Sequence, residues 1–369
     1  MSTLPHFYYH PRMTEYLIYE GHPLNPERLR RTIELLHRYG VLPLDPGMAT
    51  HEDALRVHSE EYVNAVEKLD PANGQDADQL YDYDHIERDP RIRFGFASGD
   101  NPPFRGMYQS SLAYLGGTIR AAEAVRDGAP LAFGIAGGLH HARRSEASGF
   151  CIFNDTAAAC QVLREKFSRV AYVDIDVHHG DGVQWIFFDD PSVLTCSIHE
   201  EGRTLYPGTG GVEETGAKYS SLNVPLKAGT SGDVWLRAFE RGILPGLEKF
   251  QPEAIVLQMG TDSHALDPLA HINSTQHEWL AAVQNIKDLD LPLVVTGGGG
   301  YNLNTVPRMW ASACLTLGDV PFDDELPADL AKLWATPTYS DMDNSPTRGV
   351  GSSHSDAVIE WLSSHHELL

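Results

Sequence analysis

The chain has 369 residues, 42% of them hydrophobic, enough to bury a sizeable core. Its 51 acidic residues outnumber 28 Lys and Arg, giving a net charge of −23. Such a field excludes direct nucleic acid binding and attracts cations such as a Lys-rich peptide or a cationic small molecule, unless it serves solubility alone. In chain order, apolar runs of strand length predict strands at residues 7–9, 131–135, 170–175, 193–198, 254–259 and 291–296. Helical patterns occupy residues 26–39, 59–69, 106–127, 156–167, 234–250, 275–289 and 307–317, with Asn25-Pro26-Glu27 as a helix start. Strands alternating with helices predict an α/β fold with a parallel sheet and helices on both faces. One domain spanning residues 1–369 is expected. Residues 70–105 read as a long polar loop, and the last forty carry no legible chemistry.

No segment approaches the roughly 18 apolar residues that span a bilayer, so no membrane partner is expected. The N-terminus lacks a basic region followed by an apolar stretch. Cys151, Cys160, Cys196 and Cys314 show no CxxC spacing. A soluble cytoplasmic protein with reduced thiols is the expectation.

The densest chemistry is Asp174-Ile175-Asp176-Val177-His178-His179-Gly180-Asp181, at the carboxyl end of the strand over 170–175. Side chains alternate along a strand, so Asp174, Asp176 and His178 share a face while it stays extended. A carboxylate and an imidazole two residues apart can grip one metal ion. Three further strands end in reactive clusters: Gly137–His141, Gly260–His264 and Gly297–Tyr301. All fall at the sheet edge where open α/β folds bind ligands. Asp262 supplies a third metal ligand, leaving open positions for water and substrate. Two carboxylates and one His suit zinc, and equally iron(II), manganese or cobalt. His140 and His141 are acid–base candidates, with Asp174 and Asp181 left over to orient them. Tyr301 can offer its phenol to a developing oxyanion. The glycines before it allow close backbone approach, and without a following Lys-Ser/Thr they are no P-loop. Aromatic residues at Phe150 and Tyr206 would suit the walls of a narrow tunnel.

These stretches resemble the histone deacetylase family, in particular its class I-like bacterial members, which include acetoin-utilisation proteins. The matching motifs are His22-Pro23-Leu24-Asn25-Pro26-Glu27-Arg28, Gly138-Leu139-His140-His141-Ala142, Gly149-Phe150-Cys151-Ile152-Phe153-Asn154-Asp155, residues 173–182, Tyr206-Pro207-Gly208-Thr209-Gly210, Gly260-Thr261-Asp262 and Gly298-Gly299-Gly300-Tyr301. The resemblance implies an arginase/deacetylase-like fold with a central eight-stranded parallel sheet. It implies Zn2+ on Asp176, His178 and Asp262, with Fe2+ as the other candidate. His141 looks like the general base and acid, paired with Asp181, and His140 like its electrostatic partner, paired with Asp174. Tyr301 looks like the residue that polarises the substrate carbonyl. Gly149, Phe150 and Tyr206 resemble substrate-tunnel residues, with Leu269 and Asp100 near the rim. Arg28 and Gly137 resemble the lining of an acetate channel. A structural K+ is implied on Asp174, Asp176 and His178, with Ser197 and Ile198. Tyr206 stands where the family often has Phe, and Asp181 where class II-like members and polyamine deacetylases usually have Asn.

The expected reaction is hydrolysis of an N-ε-acyl-lysine side chain, on a protein, peptide or cationic small molecule. Acetylpolyamines and other small amides are the alternative substrates. Two readings of other classes stand beside it: an arginase-like hydrolase with two manganese ions, and a non-catalytic acyl-lysine or cation-binding module.

Overall fold

The computed structural model describes residues 6–73, 89–341 and 348–369. Seven strands, all parallel, form one sheet among the described residues: β1 (His6–Phe7), β2 (Leu131–Gly134), β3 (Val170–Asp174), β4 (Val193–Glu200), β5 (Ser221–Leu226), β6 (Ala254–Gln258) and β7 (Leu293–Thr296). Their spatial order is β1-β2-β7-β6-β3-β4-β5. Every residue of β3, β4, β6 and β7 is buried, which is why β3, β6 and β7 are nearly unbroken apolar runs, while β4 carries Thr195, Ser197, His199 and Glu200 among its apolar residues. Helices flank the sheet, and buried apolar side chains from Phe7 to Leu362 form one contiguous cluster. No described helix is long and apolar enough to cross a membrane.

The eight-strand expectation is corrected to seven. Beyond β1 the sheet ends in a single bridge between Tyr8 and Leu44, where Leu44 N donates to Phe7 O (2.7 Å). Pro43 and Pro46 flank Leu44. Neither has an N–H to extend the ladder. Strand β5 was not foreseen because Asn223 and Pro225 interrupt its apolar pattern. It is an edge strand, where proline is tolerated. The helix expected over 234–250 is three pieces: Gly232–Ala238, a π-helical turn Phe239–Ile243, and Leu244–Phe250. Pro245 withdraws an N–H and crowds the preceding turn, and the π turn absorbs the misfit. Helices Asp181–Phe187, Ala328–Trp334 and Ser352–His365 lacked a clear signal. The expected loop over 70–105 contains a turn at Pro71–Asn73 and a short helix at Pro90–Arg93. Its residues 74–88 lie outside the described residues, as do 342–347 of the C-terminal stretch.

The strand order positions the site. From β3 the chain runs outward through β4 to β5, then returns so that β6 and β7 fill the space between β3 and β2. The carboxyl ends of β2, β7, β6 and β3 therefore lie side by side, and the crevice forms at that switch of direction.

Candidate active site

Each of those four strand ends supplies one part of the site. After β3 the chain leaves the ladder at Asp174 and turns through Asp176 and His178. After β6 it places Asp262. One ligand atom from each of Asp176, His178 and Asp262 lies within 4.8 Å of the others, and all three residues are buried. His178 Nδ1 is 3.1 Å from Asp176 Oδ1 and 3.0 Å from Asp262 Oδ2. Burial disfavours charge on His178, yet hydrogen bonds to the two carboxylates overcome it and push its pKa up to about 10. Two buried carboxylates thus draw positive charge to one point between them. A divalent cation satisfies that demand better than a proton, so the donor set fits a metal.

The far oxygens of both carboxylates are also held. Val177 N donates to Asp262 Oδ1 (2.9 Å). Gly299 N and Gln258 Nε2 donate to Asp176 Oδ2 at 2.7 and 2.8 Å. Gln258 was not anticipated. Its signal was a polar residue ending the apolar run Ala254-Ile255-Val256-Leu257.

His140 and His141 come from the loop after β2. His140 Nδ1 lies 2.7 Å from Asp174 Oδ2, and His141 Nδ1 lies 2.7 Å from Asp181 Oδ1. The two Nε2 atoms are 3.1 Å apart, so at most one of them carries a proton there. Burial would strip charge from both rings. At His140 the nearby Asp174 and Asp176 outweigh burial and push it up to about 9. At His141 burial wins, reinforced by the charge on His140, and lowers it to about 4. The two rings are therefore pushed in opposite directions by their surroundings.

Both carboxylate partners are anchored. Tyr172 donates its hydroxyl to Asp174 Oδ2 (2.7 Å), and Arg143 reaches Asp181 Oδ2 (3.1 Å). Asp181 opens the helix Asp181–Phe187, where the helix dipole favours negative charge. The turn before the His pair is pinned by buried Asp155, which accepts from Gly138 N, Leu139 N and the Thr118 hydroxyl at 2.9, 2.9 and 2.7 Å. Behind it, Asn154 Nδ2 donates to the carbonyls of His140 and Ala142, and Asn154 N donates to His58 Nε2 (2.9 Å).

Tyr301 follows β7, and its ring packs edge-on against Phe150 and His178, with centroids at 5.9 and 6.5 Å. Its backbone N–H donates to Asp267 Oδ2 (2.7 Å). Gly149 and Phe150 both have positive φ, 51° and 69°, inside a tight turn closed by Ser148 and Cys151. A Cβ on Gly149 would come within 2.3 Å of the His141 ring. Tyr206 is 41% exposed, lies edge-on to His141 at 5.1 Å, and shares a hydrogen bond with the Ser148 hydroxyl. A pocket lined by His140, His141, Phe150, Asp176, Gly299 and Tyr301, among others, joins these groups.

Other expected positions lie further out. Leu24 and Leu139 border that pocket and also a second cavity lined by Arg28 and Trp310. Arg28 donates to the carbonyls of Gly298 and Gly300 (2.8 and 2.9 Å). Gly137 packs against Asp155 and Thr118 and is not among that cavity's lining residues. Asp100 is exposed. Its neighbour Asn101 is buried, accepts from Phe150 N (3.1 Å) and donates to Cys151 O (3.3 Å), a role that went unread. Leu269 is partly buried, and its N–H bonds Asp267. Ser197 sits opposite Asp174 in the β3–β4 ladder and bonds His199, with Ile198 next to it on β4.

A family model for the histone deacetylase domain matches residues 22–317, a span that contains every expected site residue. The acetoin utilization protein AcuC of Bacillus subtilis is 36% identical over 343 residues, covering 89% of this chain and 86% of its own. Histone deacetylase clr6 of Schizosaccharomyces pombe is 34% identical over 371 residues, covering 96% and 88%. The chain belongs to the histone deacetylase family. It is accordingly a hydrolase of the amidohydrolase kind. Probable histone deacetylase 19 of Zea mays, 35% identical over 357 residues, aligns with 93% of the chain.

Proposed function

We propose that this chain is a zinc-dependent deacylase of N-ε-acyl-lysine side chains that releases acetate when the acyl group is acetyl. The observation that carries the reading is the pair of imidazoles, each backed by a carboxylate at 2.7 Å, beside a buried Asp-His-Asp cluster. A mere binding module has no need of that acid–base machinery. A second acidic group, His140, Asp174 and Asp176, adjoins the first, but its Asp174 Oδ2 is already held by His140 Nδ1 and the Tyr172 hydroxyl, which favours one metal over a two-manganese centre. Zinc held by Asp176, His178 and Asp262 supplies Lewis acidity to the acyl carbonyl and acidifies water.

The chain's own groups do the rest. Asp181 keeps a proton on His141 Nδ1, which leaves Nε2 free to take a proton from the attacking water. The same nitrogen then delivers that proton to the departing lysine Nζ. His140, its Nδ1 held by Asp174, and the Tyr301 phenol steady the negative charge that forms on the acyl oxygen. Phe150 and Tyr206 flank the alkyl stem of the lysine, with Gly149 leaving space between wall and His141. Asp100 and Leu269 serve the rim, and Arg28, with Gly137 nearby, serves the exit route for acetate. A structural K+ on backbone oxygens of Asp174, Asp176 and His178, with Ser197 and Ile198, belongs to the same reading. So does a cytoplasmic location. The net charge of −23 favours cationic substrates.

The test is a turnover screen of the zinc-loaded protein over acyl-lysine peptides of varied acyl length and over acetylpolyamines. Turnover of acetyl-lysine peptide, abolished by chelation and by His141→Ala, is expected. Turnover confined to acetylpolyamines would replace the substrate class. Silence across the whole panel, with zinc bound stoichiometrically, would leave only a binding module.

A further inference from the structure

We infer that Gln258 is a positioning residue for the metal: its side-chain amide fixes which oxygen of Asp176 faces the cation and ties that ligand to the loops carrying His140 and Asp262. Gln258 is fully buried and ends β6, opposite Asp174 on β3 and Thr296 on β7. Its Nε2 has two hydrogens, directed at Asp176 Oδ2 (2.8 Å) and Gly138 O (3.2 Å); His140 Nδ1 lies at 3.4 Å but is engaged with Asp174 at 2.7 Å. Its Oε1 accepts from Gly260 N at 2.7 Å. The amide therefore has no spare group, and it spans three strand ends in one step.

The consequence for Asp176 is geometric. With Oδ2 held by Gln258 and Gly299 N, only Oδ1 remains on the side of His178 Nδ1. The carboxylate cannot rotate without breaking two hydrogen bonds in a dry interior, where each is costly to lose. The nearest alternatives lose part of this. Glu would set an acceptor against both Asp176 and Gly138 O. Asn falls one methylene short, and Met leaves both partners unsatisfied. The backbone makes room for this amide: a Cβ on Gly298 would sit 2.3 Å from Gln258 Nε2.

The inference rests on the metal-site reading, and zinc affinity tests it without recourse to catalysis. The dissociation constant is measured by competition with a chromophoric chelator, and folding of the metal-free proteins is checked by thermal melting. Gln258→Met and Gln258→Asn are each expected to weaken zinc by roughly 10–100-fold, as for groups that orient a ligand from behind. Thr296→Val is the control: it lies in the same layer, and its hydroxyl meets only the carbonyls of Leu257 and Gly297. It is expected to keep wild-type affinity. If Gln258→Met does not fold, Gln258→Asn decides. Affinity within threefold of wild type in the folded Gln258 variants overturns the inference, and so does an equal loss in Thr296→Val. A wild-type protein that takes up no zinc sinks the metal-site reading instead.

Discussion

His58 offers a stability prediction with a defined sign. It is 2% exposed, and its ring links Arg143 O (3.0 Å) to Asn154 N (2.9 Å), two steps behind the catalytic imidazoles. Burial lowers its pKa from 6.5 to about 4, against the raising pull of the backbone carbonyls. Below about pH 6.5 the unfolded chain takes up a proton at this site, and the folded chain does not until pH nears 4. Stability from this group is therefore complete above pH 6.5 and drains away as the pH falls to 4. A shift of about 2.5 units corresponds to about 3 kcal/mol. Many other groups titrate in that window, so the measurement is a difference. His58→Gln keeps an acceptor for Asn154 N but does not titrate. Urea unfolding of both proteins in chelator, at several pH values between 7.5 and 4, gives the gap between them. That gap is expected to narrow by about 3 kcal/mol towards acid. Parallel stability curves would show that His58 is not a buried neutral imidazole, and the argument would fail.

Three further outcomes follow from the site. Tyr301→Phe is expected to lower kcat on an acetyl-lysine peptide by about 100-fold or more, near 3 kcal/mol for one oxyanion donor, with zinc content unchanged; full activity would remove the phenol from the mechanism. Gly299→Ala drives a Cβ to 2.0 Å from Asp262 Oδ2 and 3.0 Å from Asp176 Oδ2, so zinc stoichiometry by atomic absorption should collapse while secondary structure by circular dichroism persists. Tyr206→Phe deletes the hydroxyl that bonds Ser148, and a double-mutant cycle with Ser148→Ala in kcat/KM should show coupling of about 1 kcal/mol, whereas additive effects would mean that the contact does not shape the tunnel mouth.

What was legible in the sequence is what lies close together in it. Asp176 and His178 are two residues apart, His140 and His141 are adjacent, and each cluster follows an apolar strand, so period and composition placed them on one sheet edge. The alternation of strands and helices gave the class of fold. What escaped depends on partners distant in the chain. Gln258 meets Asp176 across 82 residues, His58 meets Asn154 across 96, and Asn101 meets Phe150 across 49. Taken singly, these are a polar strand end, a helix-flanking His and a loop Asn, each with an ordinary local explanation. Asp100 drew notice while the neighbouring Asn101 does the anchoring. The strand count failed at the β1 edge, where Pro43 and Pro46 leave only a single bridge at Leu44, and β5 at the other edge was hidden because Pro225 broke its apolar pattern.

The glycine run before Tyr301 owes its smallness to what is packed against it. Composition says only that the run allows close backbone approach. A Cβ at Gly298 would strike the Gln258 amide, and one at Gly299 would strike the Asp262 carboxylate. Both positions are filled to contact by the groups that orient and supply the ligands. Arg28 adds hydrogen bonds to the Gly298 and Gly300 carbonyls from the opposite side. The segment is thus clamped rather than mobile, and small because the acidic cluster is pressed against it. Tyr301 inherits that fixed backbone, with its own N–H tied to Asp267. An oxyanion donor needs such rigidity, because a phenol that must be ordered during the reaction loses much of its value in the transition state.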